Sequence, residues 1–300
     1  MIQMKKVSKA FNGEKVVDNV HFSIEKGSIY GLLGSNGAGK TTILKMLSGI
    51  YRQDSGEIWI DGQRVYENND TKKRLFFIPD TPSFLSQYTL KQMAKFYQLI
   101  YPGWNHNRFV ELSRIFDIQL NKKLHTFSKG VKRQAAFILA FSSMPDVLIL
   151  DEPMDGLDPV VRKKVKNLLI HDVAEREMTV LISSHNLREI EDLSDHVGIL
   201  HNGKILLEKD LDDLKSDVHK VQVAFKESIP HTFFKEVNSI HTEQRGSVIL
   251  CVVRGKEEQI SKTIETYNPI LFDLLPLTLE EIFIYEMEDV GYAFTNHLVE

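Results

Sequence analysis

Alternating apolar and polar positions in IQMKKVSKAF (2–11), the turn pair Asn12-Gly13 and the run VHFSI (20–24) predict an antiparallel hairpin over the first thirty residues. SIYGLL (28–33) is a second apolar strand, and it runs into a glycine-rich loop. TTILKMLSGI (41–50) has helical spacing, with Ile43, Met46 and Leu47 on one face. SGEIWIDGQRV (55–65) reads as another hairpin, turning at Asp61-Gly62. Between about 85 and 145 the period becomes helical: Leu90, Met93, Ala94 and Tyr97 fall at i, i+3, i+4 and i+7, and Pro102-Gly103 breaks the pattern. VLILD (147–151) and TVLISSH (179–185) are continuous apolar runs ending in polar residues, the pattern of buried parallel strands with a site at their carboxyl ends. Asp158-Pro159 opens the helix between them, as N-cap and first-turn proline.

After about residue 210 the chain changes character. KVQVAF (220–225), SVILCVV (247–253) and ILFDLL (270–275) read as strands, and KEEQISKTIETY (256–267) as a helix. The stretch 226–246 is weakly patterned, but the order β-α-β-β-α-β fits a small ferredoxin-like appendage. LTLEEIFIYEM (277–287) reads as a last helix, with Leu279, Ile282, Phe283 and Met287 on one face.

Composition narrows the class. Of 300 residues, 42% are hydrophobic and 26% charged, a globular balance with room for one large domain and a smaller one. Runs such as AAFILAF (135–141) are too short to span a bilayer. No apolar segment with a cleavage site follows Met1, so the expectation is a cytoplasmic protein. The single cysteine, Cys251, excludes an internal disulfide and a cysteine-based zinc site. A net charge of -4 gives no reason to expect nucleic acid as a partner.

The chemistry concentrates in two stretches. GSNGAGKTT (34–42) matches G-x-x-x-x-G-K-[ST] with a strand before it and a helix after it. Such glycines let the backbone wrap phosphates with its N–H groups inward, and the helix N-terminus adds partial positive charge. Gly34, Ser35, Asn36, Gly37, Ala38, Gly39, Lys40, Thr41 and Thr42 are the expected nucleotide-binding residues. Lys40 would reach the β- and γ-phosphates, and the Thr41 hydroxyl would bind Mg²⁺. In VLILDEP (147–153), Asp151 would be delivered towards the metal and Glu152 towards an attacking water. Alone, DEP reads equally as the acidic start of a helix; beside the glycine loop the catalytic reading is preferred.

GSNGAGKTT, FSKGVKRQ (127–134), LILDEP, DGLDP (155–159) and ISSH (182–185) together make residues 2–208 resemble the nucleotide-binding subunits of ABC transporters. The resemblance implies an α/β fold: a P-loop ATPase core with an antiparallel β subdomain and a helical subdomain over about 85–145. The ATPase domain would span 1–208, and the ferredoxin-like α+β domain, for regulation or dimerisation, 209–300. It also implies two ATP molecules sandwiched between two head-to-tail domains. Ser128 and Gly130 would contact the γ-phosphate held by the partner subunit, His185 the γ-phosphate of its own site, and Asp158 would couple the two sites. Phe11 falls where an aromatic ring commonly stacks on adenine, though it also reads as a hairpin core residue. Ser128 reads alternatively as a helix cap, and Asp158 is already explained as one.

Two departures stand out. The signature, usually Leu-Ser-Gly-Gly-Gln, is Phe127-Ser128-Lys129-Gly130-Val131 here. In FFIPDTPSF (76–84), Asp80 takes the place of a glutamine that senses Mg²⁺ in such proteins. A carboxylate suits that metal, so Asp80 is assigned to the metal set with Thr41 and Asp151, against the alternative of a turn-forming Asp. Phe84 and Tyr88, just beyond, are candidates for contact with a membrane subunit.

One ATPase core without heptad runs implies a homodimer, or a heterodimer with another ATPase subunit, at the inner face of the cell membrane. It would drive a separate polytopic permease. YPGW (101–104), FIPDTP and the ending LPLTLEEIFIYEMEDVGY (275–292) look like the Gram-positive branch that exports bacitracin-type antibiotics and phenol-soluble modulins. The alternative is a regulatory ATPase that acts through a protein partner without transport.

Overall fold

The computed structural model describes all residues except 227–230, 279, 283 and 286–300, together with the side chain of residue 231. Two compact units divide the chain, Met1–Glu208 and Lys209–Glu300.

In the first unit, β1 (Ile2–Phe11) and β2 (Glu14–Ile24) form the expected hairpin. Asn12 and Gly13 both take positive φ, 50° and 84°, as a two-residue turn between right-twisted strands requires. β3 (Ile29–Leu33) leads through the glycine loop into α1 (Lys40–Leu47). β4 (Ser55–Ile60) and β5 (Gln63–Arg64) complete an antiparallel sheet of order β2-β1-β4-β5. Ile2, Met4, Phe22, Ile24, Ile58 and Ile60 from this sheet share one core with Ile43, Leu44, Met46 and Leu47 of α1.

The chain continues through α2 (Asn69–Lys73), β6 (Leu75–Ile78), α3 (Leu90–Ile100), α4 (His106–Ile115) and α5 (Lys129–Ser142). α3 opens with a reciprocal cap in which Thr89 accepts from Gln92 N and Gln92 accepts from Thr89 N. Its expected face is the buried one: Leu90, Met93 and Ala94 are in the core, and Tyr97 stacks on Phe76 and Tyr101.

After α5 come β7 (Val147–Asp151), α6 (Pro159–Arg176), β8 (Thr179–Ser184), α7 (Leu187–Glu191), β9 (His196–His201) and β10 (Lys204–Asp210). The central sheet has the order β10-β9-β3-β8-β7-β6, and β9, β3, β8, β7 and β6 run parallel. β3, β7 and β8 are buried along their whole length, which explains their unbroken apolar runs. Their carboxyl ends put the glycine loop, Asp151 and Ser184 on one edge of the sheet.

In the second unit, α8 (Leu211–Ser216) precedes β11 (Val218–Ala224), α9 (His231–Glu236), β12 (Ser239–Arg245), β13 (Val248–Arg254), α10 (Glu257–Glu265) and β14 (Leu271–Leu275). The antiparallel order β12-β13-β11-β14 is the ferredoxin-like arrangement expected from the element order. β12 sits at the edge and is mostly exposed, so 239–245 carries little hydrophobic pattern. Of the expected last apolar stripe, Ile282 is buried, while Leu279, Phe283 and Met287 lie outside the described residues.

Candidate functional site

The glycine loop is built around backbone that other residues would not tolerate. Gly39 caps α1 at φ 109°, and a Cβ there would lie 2.9 Å from Val16 O. The loop curls over the Lys40 ammonium, which donates to Gly34 O (2.6 Å) and Ser35 O (3.3 Å). Lys40 is 6% exposed. An open cleft is lined by Val16, Ser35, Asn36, Gly37, Gly39, Lys40, Thr41, Thr42, Asp80 and Glu152. Gly34 and Ala38 shape the loop from behind: Gly34 O holds Lys40, and Ala38 is buried with its carbonyl accepting from Gly203 N.

Behind the cleft, the Thr41 hydroxyl donates to Asp151 Oδ2 (2.8 Å) and the Ser183 hydroxyl to Asp151 Oδ1 (2.8 Å). Asp151 is 2% exposed. A buried carboxylate held by hydroxyls, beside a threonine at the mouth of a phosphate loop, is a set of hard oxygen donors that fits Mg²⁺. Ser183 also accepts from Glu152 N (3.1 Å), so one hydroxyl on β8 fixes two carboxylate residues on β7 and beyond it.

Glu152 takes a left-handed backbone, φ 45°, uncommon for a non-glycine residue. Its Oε1 is 3.2 Å from Lys40 Nζ. Its Oε2 is 2.9 Å from His185 Nδ1 and accepts from His185 N (3.3 Å). Lys40, Glu152 and His185 therefore form one chain of contacts along the strand ends. Donor atoms of Glu152, Asp155 and His185 lie within 4.8 Å of one another. Glu189 supports this edge: it accepts from Ser184 Oγ (3.1 Å), and burial is the main cause raising its carboxyl above the ordinary glutamate range.

The other expected residues lie elsewhere. Ser128 caps α5, its hydroxyl accepting from Val131 N (3.4 Å), and it is exposed. A Cβ on Gly130 would be 3.0 Å from Gly156 O, so the first turn of α5 packs directly on the turn after Glu152. Asp158 caps α6, accepting from Val160 N and Val161 N at 3.0 Å. Ser128, Gly130 and Asp158 do not line the cleft of their own chain. Phe11, 38% exposed, is outside the hairpin core; its ring meets Tyr51 edge-on at 5.4 Å, and the Lys9 ammonium lies 5.3 Å from its centre.

Asp80 lines the cleft, and its carboxylate is engaged by basic side chains of α5. Its Oδ1 accepts from Arg133 Nη2 (2.9 Å) and lies 3.8 Å from Lys129 Nζ. Arg133 is fully buried. The sequence reading did not single out Arg133, Ser183 or Glu189. A charged residue in the helical run KRQAAFILAF and a hydroxyl inside an apolar strand were the available signals.

Residues 17–155 match the model of the ABC transporter family. Over 95% of its length the chain is 35% identical to the ABC transporter ATP-binding protein YtrB of Bacillus subtilis, covering 97% of that protein. This chain belongs to the ATP-binding proteins of ABC transporters. Proteins of this family are ATPases. The chain is also 33% identical to the bacitracin transport ATP-binding protein BcrA of Bacillus licheniformis, with 94% of each covered. A solved ATP-binding subunit of an ABC transporter superposes with a TM-score of 0.67 at 29% identity, over 72% of this chain and 92% of that one. No helix among the described residues is long and apolar enough to cross a membrane.

Proposed function

We propose that this chain is the ATP-hydrolysing subunit that powers export of a peptide or antibiotic through a separate membrane permease. The observation that carries the ATPase part is the convergence of Lys40, Glu152 and His185 beside the Thr41–Asp151 pair at one cleft. In this reading Lys40 and the loop amides of 35–42 bind the β- and γ-phosphates. Glu152, held by Lys40 on one oxygen and His185 on the other, orients the attacking water and accepts its proton. His185 keeps Glu152 in place and faces the γ-phosphate. Thr41 and Asp151 would hold Mg²⁺, with Asp80 close by; the ion, when bound, offsets phosphate charge.

Ser128 and Gly130 lie outside their own cleft, which supports a head-to-tail dimer in which each signature closes on the partner's ATP, with Asp158 near the seam. The partner is a second copy or another ATPase subunit. Phe11 remains the proposed platform for adenine, consistent with its exposed ring. The second unit, 209–300, is assigned to regulation or dimerisation.

The cargo assignment rests on the bacitracin relative. A permease contact is supported by the exposed Leu85, Tyr88, Phe96, Leu99 and Ile100 on and before α3, with Phe84 half-buried beside them. Such a complex places the chain at the inner face of the cell membrane. The test is co-expression with a candidate polytopic membrane protein sought among the neighbouring reading frames. Co-purification in detergent, and resistance to peptide antibiotics lost on Glu152→Gln, are expected. Hydrolysis with no membrane partner would favour the regulatory ATPase instead.

A further inference from the structure

Among the described residues, Arg133 is the bulkiest side chain that is completely shielded from water. It projects from the second turn of α5, the helix whose N-terminus carries Ser128 and Gly130. Its Nη1 donates to Asp155 O, three residues beyond Glu152. Its Nη2 donates to Asp80 O and, at 2.9 Å, to Asp80 Oδ1. One planar, rigid fork therefore bridges the loop after β6 and the turn after Glu152, and ties both to the signature helix.

A fully buried guanidinium needs a counter-charge, because an uncompensated buried ion is strongly unfavourable. Asp80 supplies it, and Lys129, one turn earlier on α5, approaches the same oxygen at 3.8 Å. This links two of the positions at which the chain departs from its family's pattern, Phe127 and Val131 of the signature being the others. Asp80 stands where a neutral glutamine is usual, Lys129 where a glycine is, and both departures meet at a single carboxylate.

We infer that Arg133 is a positioning residue that holds the Asp80 loop, the Asp155 turn and the Ser128–Gly130 segment in one register, with Asp80 as its counter-ion. The inference rests on the proposed ATP-sandwich reading. Arg133 hydrogen-bonds to Asp80 and Asp155, and to no residue of the phosphate loop. It acts through the loops it joins, so that the segment closing on the partner's nucleotide moves together with the turn that follows Glu152.

The test uses the full-length chain with Arg133→Met, which keeps bulk and removes the fork, and Arg133→Lys, which keeps charge alone. Four quantities are read: thermal midpoint, affinity for a fluorescent ATP analogue with Mg²⁺, kcat with KM, and the ATP concentration giving half-maximal dimer in a Glu152→Gln background. For Arg133→Met the nucleotide affinity should stay within about twofold. Its kcat should fall at least about tenfold, and the dimerisation midpoint rise by a similar factor. Arg133→Lys should recover only part of either. Adding Asp80→Asn to Arg133→Met should cost little more, since the two act through one contact. A folded Arg133→Met chain whose kcat and dimerisation midpoint match the parent overturns the inference.

Should Arg133→Met not fold, Asp80→Ala carries the decision, because Asp80 is half exposed. Weakened dimerisation with an unchanged Mg²⁺ requirement supports the counter-ion role; unaltered dimerisation, or a shift confined to the Mg²⁺ requirement, overturns it. A parent chain that binds no ATP would sink the underlying reading. A parent that binds and dimerises alongside unaffected variants would sink this inference alone.

Discussion

Lys40 Nζ lies 3.2 Å from Glu152 Oε1, so the cation proposed to serve the phosphates and the carboxylate proposed to serve the water are ion-paired with each other. Both side chains are nearly enclosed, at 6% and 13% exposure, so water screens the pair poorly. Under the proposed function, a γ-phosphate bound by Lys40 would share or compete for that ammonium with Glu152. That reading links ground-state binding and catalysis through one contact.

Glu152→Gln should therefore lower kcat by roughly two to four orders of magnitude, the range for removing a general base. Nucleotide affinity should be retained or improved, because the amide no longer neutralises Lys40. Single-turnover hydrolysis with equilibrium binding on the same preparation checks both. Weakened binding would show that the Lys40–Glu152 pair organises the loop instead of competing for phosphate.

The Thr41–Asp151 contact makes a prediction about metal. Thr41→Ser keeps the hydroxyl and should leave the Mg²⁺ dependence of hydrolysis near that of the parent. Thr41→Val keeps the shape without the donor and should need at least about tenfold more Mg²⁺ for half-maximal rate, a loss in the range seen when a metal site is weakened. A titration of rate against free Mg²⁺ at saturating ATP decides it.

Away from the cleft, Asp172 is buried on α6 and pairs with Arg108 and, at 3.2 Å, with Arg176. Removing one member of a buried ion pair leaves the other charges uncompensated, a cost of about 3–5 kcal/mol. Asp172→Ala should lose that much in urea unfolding, while Asp195→Ala is a useful contrast because Asp195 instead anchors the Ile29 amide at 2.8 Å. Nucleotide affinity per folded molecule should be unchanged in Asp172→Ala.

Cys251, on β13, is 1% exposed, and burial pushes its thiol up to about 11. At pH 8 its thiolate fraction is then roughly two hundredfold below that of an ordinary thiol, before steric exclusion is counted. The sign is simple: reactivity should stay low through neutral pH and climb only as pH approaches the raised value. One equivalent of thiol should appear towards a disulfide reagent at pH 8 only after denaturant is added. Fast labelling of the native chain would mean that the second unit opens readily.

Local chemistry was legible in the sequence. Asn12-Gly13 and Asp61-Gly62 specified their turns, because two adjacent positive φ values are a property of the residues themselves. The phosphate loop was legible for the same reason: its lysine, glycines and threonines are contiguous, and strand, loop and helix follow one another along the chain. The ferredoxin-like order of the second unit was readable except in the exposed strand β12, where burial imposes no period.

Only the tertiary structure decided which distant groups meet. Thr41 and Asp151 are 110 residues apart and Asp80 and Arg133 are 53 apart. Hydrophobic period shows that a strand is buried without showing which parallel strand lies beside it. Here β8 lies between β3 and β7 and contributes Ser183, a hydroxyl that no motif marked as pivotal. Arg133 was hidden most completely. An arginine is mostly exposed as a residue type, and only packing against two separate loops shows this one to be enclosed and paired with Asp80.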